Sequence, residues 1–204
     1  MKLLSLDSLP TNLRNNTLVR QLVTGQRLFQ QGDLAKHFFI VKTGRLKLIH
    51  YLDTSNVVTL EFAQAGDSLG DRSIFSDIYD TSAIAQVNST VIVYPKQLLL
   101  SSLREYPDLA VDFMAILVNK IQSLQIDLEL RNIRLAHERL LQYLKYSALV
   151  NHETIVNLER PYKEIALELG FTPETMSRAL LKLEKEGAIA RQQNKIIIHN
   201  YSVA

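Results

Sequence analysis

The stretch Arg160-Pro-Tyr-Lys-Glu-Ile-Ala-Leu-Glu-Leu-Gly-Phe-Thr-Pro-Glu-Thr-Met-Ser-Arg-Ala-Leu-Leu-Lys-Leu183 decides the fold of the C-terminal part of the chain. Gly170 stands between two apolar helical patterns, where a left-handed turn residue is needed. Thr172 is suited to cap the second helix, and Pro173 to its first position, because the amide there has no helical partner. The spacing therefore predicts a helix-turn-helix, with the small Ala166 where the two helices cross.

The second helix of this motif has an inner and an outer face. Its inner face contains Met176, Leu180 and Leu183. On its outer face Arg178 can form two hydrogen bonds to guanine, and Glu174 can accept one from cytosine, if the helix enters a major groove. We therefore predict that a DNA-reading surface is formed by Thr172, Pro173, Glu174, Thr175, Ser177, Arg178 and Lys182.

Two short apolar runs, 187–191 and 195–199, flank a polar triplet and predict a β-hairpin. Arg191 and Lys195 fall near its tip, so the hairpin is suited to contact DNA phosphates as a wing. The alternative is a helical bundle with solvated charges and an ordinary hairpin. The chain has 23 basic and 21 acidic residues, a formal net charge of +2, so any DNA contact must be local.

The pattern between about residue 25 and residue 94 is different. Short apolar or alternating runs are separated by turn residues at intervals of roughly 8 to 12 residues, which predicts an antiparallel sandwich or barrel. Residues 1–23 carry loosely spaced leucines and predict one or two short helices. After Pro95 the period becomes helical: residues 96–103 predict a short helix, and Pro107 opens a long one.

The long helix carries an apolar stripe at alternating intervals of three and four residues, the spacing of a coiled-coil seam. Ile116, Val118 and Ile126 make a second apolar side. One side is thus available to the β module and the other to a second subunit, which favours a homodimer; the alternative is a helix that lies only on its own β module. The predicted dimer interface is Met114, Leu117, Ile121, Leu124 and Leu128.

With 204 residues, the chain is long enough for two modules. We predict an α+β protein with an antiparallel β-roll at 1–105, a dimerisation helix at 106–134 and a winged helix-turn-helix at 135–204. The first residues lack the layout of a signal peptide, and no uninterrupted apolar run approaches the ~18 residues of a membrane helix. We expect a cytoplasmic protein without a membrane partner.

This order of modules resembles the Crp/Fnr family, that of the catabolite activator protein and the fumarate–nitrate reductase regulator. Glu174, Ser177 and Arg178 match the Glu-x-x-Ser-Arg of its recognition helix. The resemblance implies a homodimeric transcription regulator that reads double-stranded DNA with TTGAT and ATCAA half-sites around a short spacer. An activator of this family also contacts RNA polymerase. The family's turn glycines correspond to Gly32, Gly44, Gly66 and Gly70.

The segment 66–83, here called the cassette segment, corresponds to the family's cyclic-nucleotide phosphate cassette. Thr81 stands where cyclic-nucleotide binders have the arginine that pairs with the phosphate, and Asp80 adds repulsion. Loss of such a contact costs on the order of 2 to 5 kcal/mol. We therefore expect no useful cyclic AMP binding. By resemblance, the positions of the effector pocket are Gly70, Asp71, Arg72, Thr81, Ser82, Leu124 and Gln125.

Arg72 has two interpretations: it rebuilds an anion site for another ligand, or it pairs with a nearby aspartate. The absence of cysteine excludes thiolate-ligated iron–sulfur clusters. The β module offers His37 and His50 as haem ligands, and histidines on strands are more often structural, so we expect no haem and predict no cofactor. Control would then come from a small-molecule effector, a partner protein or abundance.

An enzyme is not expected, because the sequence has no catalytic triad pattern, HExxH motif, P-loop or metal-spaced cluster. The main rival is a sensor or adaptor whose winged helix binds protein. An adaptor of this kind would not need base-reading residues on the outer face of the second helix. The presence of Glu174, Ser177 and Arg178 there favours DNA binding.

Overall fold

The computed structural model of the protein describes residues 9–53, 56–151, 154–157, 161–193 and 195–199. The chain divides into two compact units, residues 1–122 and 123–204. The division falls inside a long helix, which contributes to both units. Each unit has its own apolar core.

The first unit contains two four-stranded sheets in which every pair of neighbouring strands is antiparallel. One sheet has the order β1-β8-β3-β6 and the other β2-β7-β4-β5, and their inner faces enclose Leu46, Leu69 and Val91. The elements are α1 (Thr11–Asn16), β1 (Leu18–Leu22), β2 (Arg27–Phe29), β3 (His37–Thr43), β4 (Arg45–Tyr51), β5 (Val57–Gln64), β6 (Ser68–Leu69), β7 (Ser82–Ala85) and β8 (Ser89–Pro95). The predicted antiparallel β-roll is confirmed.

Two helices follow the β-roll: α2 (Lys96–Glu105) and α3 (Pro107–Asn132). Their apolar sides cover the outer face of the first sheet in a second core cluster that includes Phe38, Tyr94 and Leu99. Phe113 and Ile116 of α3 belong to the same cluster, which fixes the start of α3 on the β-roll. Both helices were predicted by the change of period after Pro95.

The second unit is a helix-turn-helix with a small sheet. Its elements are α4 (Ala136–Asn151), β9 (Ile155–Asn157), α5 (Tyr162–Glu168), α6 (Pro173–Lys185), β10 (Ile189–Gln192) and β11 (Lys195–Ile198). The sheet order is β10-β11-β9. Leu140, Leu144, Ile165, Met176 and Leu183 lie in one buried core, so α6 presents only its other side to solvent.

Three details differ from the sequence prediction. Part of the region predicted as helical, residues 1–23, is the strand β1, stabilised by pairing with β8 some seventy positions later; residues 1–8 lie outside the described residues. The strand β9 was not predicted, because three residues carry no readable period. The dimerisation helix, predicted at 106–134, ends at Asn132. Residues 133–135 are not helical, and Arg139 donates hydrogen bonds there to the carbonyl oxygens of Arg131 and Ile133, as expected for groups at a helix end.

Candidate nucleic-acid interface

The turn between α5 and α6 has the geometry that the sequence predicts. Gly170 has a φ of 70°, in the left-handed region, where a side chain would cost about 1–2 kcal/mol. The amide of Phe171 donates to the Ala166 carbonyl oxygen at 2.7 Å and closes the end of α5. Residues 169–172 form the turn that leads into α6.

The start of α6 is capped by a side chain. Thr172 has an extended backbone, and its Oγ1 accepts a hydrogen bond from the Thr175 amide at 3.2 Å. Pro173 occupies the first helical position, where no amide hydrogen is needed. Because the remaining free amides of this end point along the helix axis, the end of α6 attracts negative charge, including phosphate.

The outer face of α6 exposes polar side chains over its first two turns. Glu174, Ser177 and Arg178 are exposed, and Thr175 is half-buried. Arg178 Nη2 lies 3.4 Å from Thr175 Oγ1, a long hydrogen bond that leaves most of the guanidinium donors free for a ligand. Hydrogen bonds from its own backbone amide and from Thr172, with the charge of Arg178, lower the pKa of Glu174. Glu174 is therefore an ionised acceptor at neutral pH.

Leu181 lies on the same side of α6, four residues after Ser177, and is 49% exposed. The sequence prediction did not include it, although the spacing from Glu174 and Ser177 could have placed it on this face. An apolar side chain there is suited to the methyl group of thymine. Lys182, next to it, lies 3.7 Å from Glu186 in an exposed pair, which contributes little.

Arg139 of α4 fixes the turn and was also not predicted. Its Nη1 donates to the Leu169 carbonyl oxygen at 2.9 Å, and its Nη2 donates to that of Ile133 at 2.7 Å. The guanidinium stacks on the Phe171 ring at 5.2 Å. One side chain thus satisfies carbonyl groups at the ends of α3 and α5, which holds the start of α6 in place.

The hairpin β10–β11 forms the predicted wing, but one of its two cations is already paired. Arg191 Nη2 lies 2.6 Å from Glu184 Oε2, and this hydrogen bond lowers the pKa of Glu184. Arg191 is thus partly occupied by Glu184 before any phosphate contact. Lys195 is exposed at the other side of the tip, where Gln193 makes the turn with a φ of 51°.

The cassette segment uses its arginine internally. Arg72 Nε and Nη2 bind Asp80 Oδ2 at 2.9 and 2.8 Å. Burial raises the pKa of Asp80, but the hydrogen bond and charge of Arg72 outweigh it, and the pKa is lowered. Of the two interpretations of Arg72, the structure has the pair with a nearby aspartate.

Two lysines close to the cassette segment are likewise engaged. Lys96 is buried, and its Nζ donates to the Ser76 carbonyl oxygen at 2.6 Å. Lys120 of α3 forms an ion pair with Glu61 of β5, and the two side chains are 16% and 13% exposed. Burial raises the pKa of Glu61, an effect that Lys120 opposes. Burial also raises the pKa of Asp67.

The other predicted pocket positions are spread over both units. Asp71 accepts a hydrogen bond from the Ser68 hydroxyl at 3.0 Å. Thr81 and Ser82 are buried, and Ser82 Oγ accepts from the Gln31 amide at 2.9 Å. Gly70 has a φ of 81° and makes a tight turn. Leu124 and Gln125 belong to the second unit and are exposed.

The predicted seam on α3 is largely exposed. Met114, Ile121, Leu124 and Leu128 each expose about half of their surface, between 48% and 61%. Leu117 is half-buried against the core of the first unit. Of the predicted second apolar side, Ile116 and Ile126 pack on the two cores, whereas Val118 is exposed.

By length and composition alone, α3 is also apolar enough to cross a membrane. Helices of soluble proteins pass the same test, and α3 carries the charged residues Asp112, Lys120 and Asp127 along its length. Within the described residues, no group of three or more His, Asp or Glu side chains is placed to hold a metal ion.

An antiparallel β-roll followed by a long helix and a winged helix-turn-helix defines a class of DNA-binding transcription regulators with a cyclic-nucleotide-binding-like domain. Comparison with protein families agrees: residues 19–106 match the cyclic nucleotide-binding domain, and residues 133–202 match the Crp-like helix-turn-helix domain. The chain belongs to the Crp/Fnr family of transcription regulators.

Characterised relatives are similar over most of the chain. Electron transport regulator A of Shewanella oneidensis is 28% identical over 85% of this chain and 72% of its own. The fumarate and nitrate reduction regulatory protein of Vibrio cholerae is 26% identical over 87% of this chain and 73% of its own. The structure of FixK2 from Bradyrhizobium japonicum covers 90% of this chain and 93% of its own, with 19% identity and a TM-score of 0.70, which shows the shared fold.

Proposed function

We propose that the protein is a homodimeric, sequence-specific DNA-binding regulator that reads a pseudo-palindromic TTGAT-like site without cyclic AMP. The observation that carries the proposal is the outer face of α6, where ionised Glu174 and the guanidinium of Arg178 stand exposed beside the capped helix start. This face offers both an acceptor and a two-pronged donor, which base recognition in a major groove requires.

Dimerisation is supported by the exposed stripe on α3. Four of the five seam residues are about half exposed, on a helix whose first turns bury Leu109, Phe113 and Ile116 on another side. A second copy related by two-fold symmetry would cover the stripe and place two reading helices on successive half-sites, about one DNA turn apart. We propose a homodimer rather than insertion into a lipid bilayer, since Lys120 of the same helix is tied to Glu61.

Independence from cyclic AMP is supported by the cassette segment. Its arginine is bound to Asp80, and Thr81 provides no charge for a cyclic phosphate. The proposal includes no cofactor and no enzymatic activity, and it places the protein in the cytoplasm. If the protein is an activator, RNA polymerase is a further partner.

Selection of bound duplexes from random DNA by the purified protein tests the reading site. We expect enrichment of an inverted repeat with TTGAT and ATCAA half-sites; a pool without a TGA-containing repeat would overturn the proposal. Calorimetry with cyclic AMP should give no binding heat, and micromolar affinity would contradict independence from it.

Sedimentation of wild type and Leu128→Glu tests the dimer. The exposed substitution should convert the dimer to monomer without unfolding it. Glu129→Gln, on an adjacent position of α3, is the control and should remain dimeric. A wild-type monomer at all concentrations would contradict the proposed assembly.

A further inference from the structure

The first unit contains a groove at the exposed edge of β1. Its volume is about 790 Å³, and it lies between β1 and the segment 33–37, which leads into β3. Ligand clefts in proteins span roughly 300–1,000 Å³. Among the described residues, its lining shares only Tyr79 with the cassette segment. The groove is therefore a different place from the cyclic-nucleotide cassette.

The register of β1 explains why the groove exists. Leu18 pairs with Val93, Arg20 with Val91, and Leu22 follows on the same face, because residues opposite each other in antiparallel strands share a face. Leu22 is buried in the core, but Leu18 is 65% exposed although it lies on the core side. The core-facing side of the first sheet is therefore longer than the area that the second sheet covers. Leu18 lies in the uncovered part, which is the groove.

The floor of the groove is aromatic. The ring of Phe29 stacks on Tyr79 at 4.1 Å and on Phe39 at 5.5 Å between centroids. The Tyr79 hydroxyl donates to the His37 carbonyl oxygen at 2.7 Å, and the Gly32 amide donates to the Tyr79 carbonyl oxygen at 2.8 Å. These bonds tie the wall of the groove to its floor, so the site is formed before any ligand arrives.

Basic side chains line one part of this apolar surface. Arg20, Lys36 and His37 line the groove, and no ion pair joins Arg20 or Lys36 to another described residue. Asp33 also lines it, and its Oδ2 accepts a hydrogen bond from the Gln30 amide at 3.0 Å, so two basic side chains and one acidic side chain face the groove beside His37. Burial, then the charges of Lys36 and Arg20, lower the pKa of His37.

We propose that this groove binds a small amphipathic carboxylate. Its apolar part would lie on the exposed Leu18, above the nearly buried rings of Phe29 and Phe39, and its carboxylate would face Arg20 and Lys36. The lining determines which ligand would fit. Its aliphatic and aromatic residues favour an apolar group, and Arg20 and Lys36, which have no ion-pair partner among the described residues, favour an anion. Hydrogen bonds between charged groups of this kind are about twice as strong as neutral ones.

Sodium octanoate is the test ligand, followed by NMR of the full-length, isotope-labelled protein. Octanoate should cause saturable shifts at the groove residues and raise the pKa of the His37 ring, because an anion offsets the repulsion from Arg20 and Lys36. The neutral analogue 1-octanol should bind at least about tenfold more weakly, which corresponds to about 1.4 kcal/mol.

The variant Arg20→Gln/Lys36→Gln should weaken octanoate binding at least about tenfold. Lys42→Gln is the matched control, since Lys42 is an exposed lysine of β3, the strand that carries His37, and does not line the groove. It should bind as wild type, and amide dispersion shows that each variant is folded. The proposal is overturned by equal binding of octanol and octanoate, by wild-type affinity of the double variant, or by no saturable shift at millimolar octanoate.

Discussion

In the cassette segment Arg72 holds Asp80 with two nitrogen atoms, whereas on α6 Arg178 makes one long contact to a hydroxyl and otherwise faces solvent. Both arginines follow a turn that contains a glycine, Gly70 before Arg72 and Gly170 before Arg178. Both regions also contain acidic and hydroxyl side chains. Residue type alone does not distinguish them. The two arginines differ in whether they have a partner inside the protein: Arg72 is bound to Asp80, whereas the guanidinium of Arg178 is available to a ligand.

Two lysines near the cassette segment, like Arg72, are bound inside the protein. Lys120 and Lys96 are directed to Glu61 and to backbone oxygens, so their charges are compensated within the first unit. On the wing, Arg191 is intermediate, since it is paired with Glu184 at a more exposed place. Predictions for these residues therefore range from large effects on stability to small effects on DNA binding.

The largest effect is expected for Lys120→Met. It leaves Glu61 buried without its partner, and removing one member of a buried pair costs about 3–5 kcal/mol of unfolding free energy. Denaturant unfolding measures this loss. The control Glu61→Gln/Lys120→Met removes both charges and should be close to wild type. A single variant as stable as wild type would show that the pair is not buried.

The loss in Lys120→Met should depend on pH. The pKa of Glu61 is raised in the folded state, so the folded state binds the proton more tightly than the unfolded state, and stability falls as pH rises through this range. Without Lys120 the pKa rises further. The difference in stability from wild type should therefore be greatest at neutral pH and shrink on acidification. A difference that is constant with pH would contradict this.

A smaller but specific effect is expected for Arg178→Ala. Loss of a base-reading arginine should cost about 1–3 kcal/mol for each half-site and relax the preference at one base pair. Arg178→Lys keeps the charge but loses the two-pronged geometry, so it should retain salt-dependent binding and lose specificity. Binding titrations with matched and mismatched duplexes measure both. An equal loss on all sequences would indicate a phosphate contact, and no loss would favour the adaptor.

Thr172→Ala should lower the stability of the second unit by about 1 kcal/mol, because the Thr175 amide loses its cap. Thr172→Ser keeps the hydroxyl and should stay near wild type. Thermal unfolding of the two variants side by side distinguishes the effect of losing the capping hydroxyl, which only Thr172→Ala removes, from the effect of losing the methyl group of threonine. Equal melting temperatures would show that the cap contributes nothing.

Glu184→Gln should have the smallest effect. It releases Arg191 toward a phosphate, so the slope of log affinity against log salt should steepen by about 0.9 for each added contact. Glu138→Gln removes one charge from an exposed position of α4 and is the control. An unchanged slope in Glu184→Gln would mean that the wing does not reach the DNA backbone.

The fold was largely predictable from the sequence because its signals are local. Gly170, Thr172 and Pro173 identify the helix-turn-helix, and the change of period after Pro95 separates the β-roll from the helices. β1 was missed because its partner β8 is distant in sequence. Arg139 and the pairing of Arg191 were missed for a related reason: a side chain's partner depends on packing between elements, which periodicity does not encode.

The most direct test measures affinity for a duplex with TTGAT and ATCAA half-sites and for a scrambled duplex, at one salt concentration, with and without cyclic AMP. We expect a clear preference for the repeat, unchanged by cyclic AMP, because the reading face is exposed and Arg72 of the cassette segment is bound to Asp80. A preference that appears only with cyclic AMP, or no preference under either condition, would contradict it.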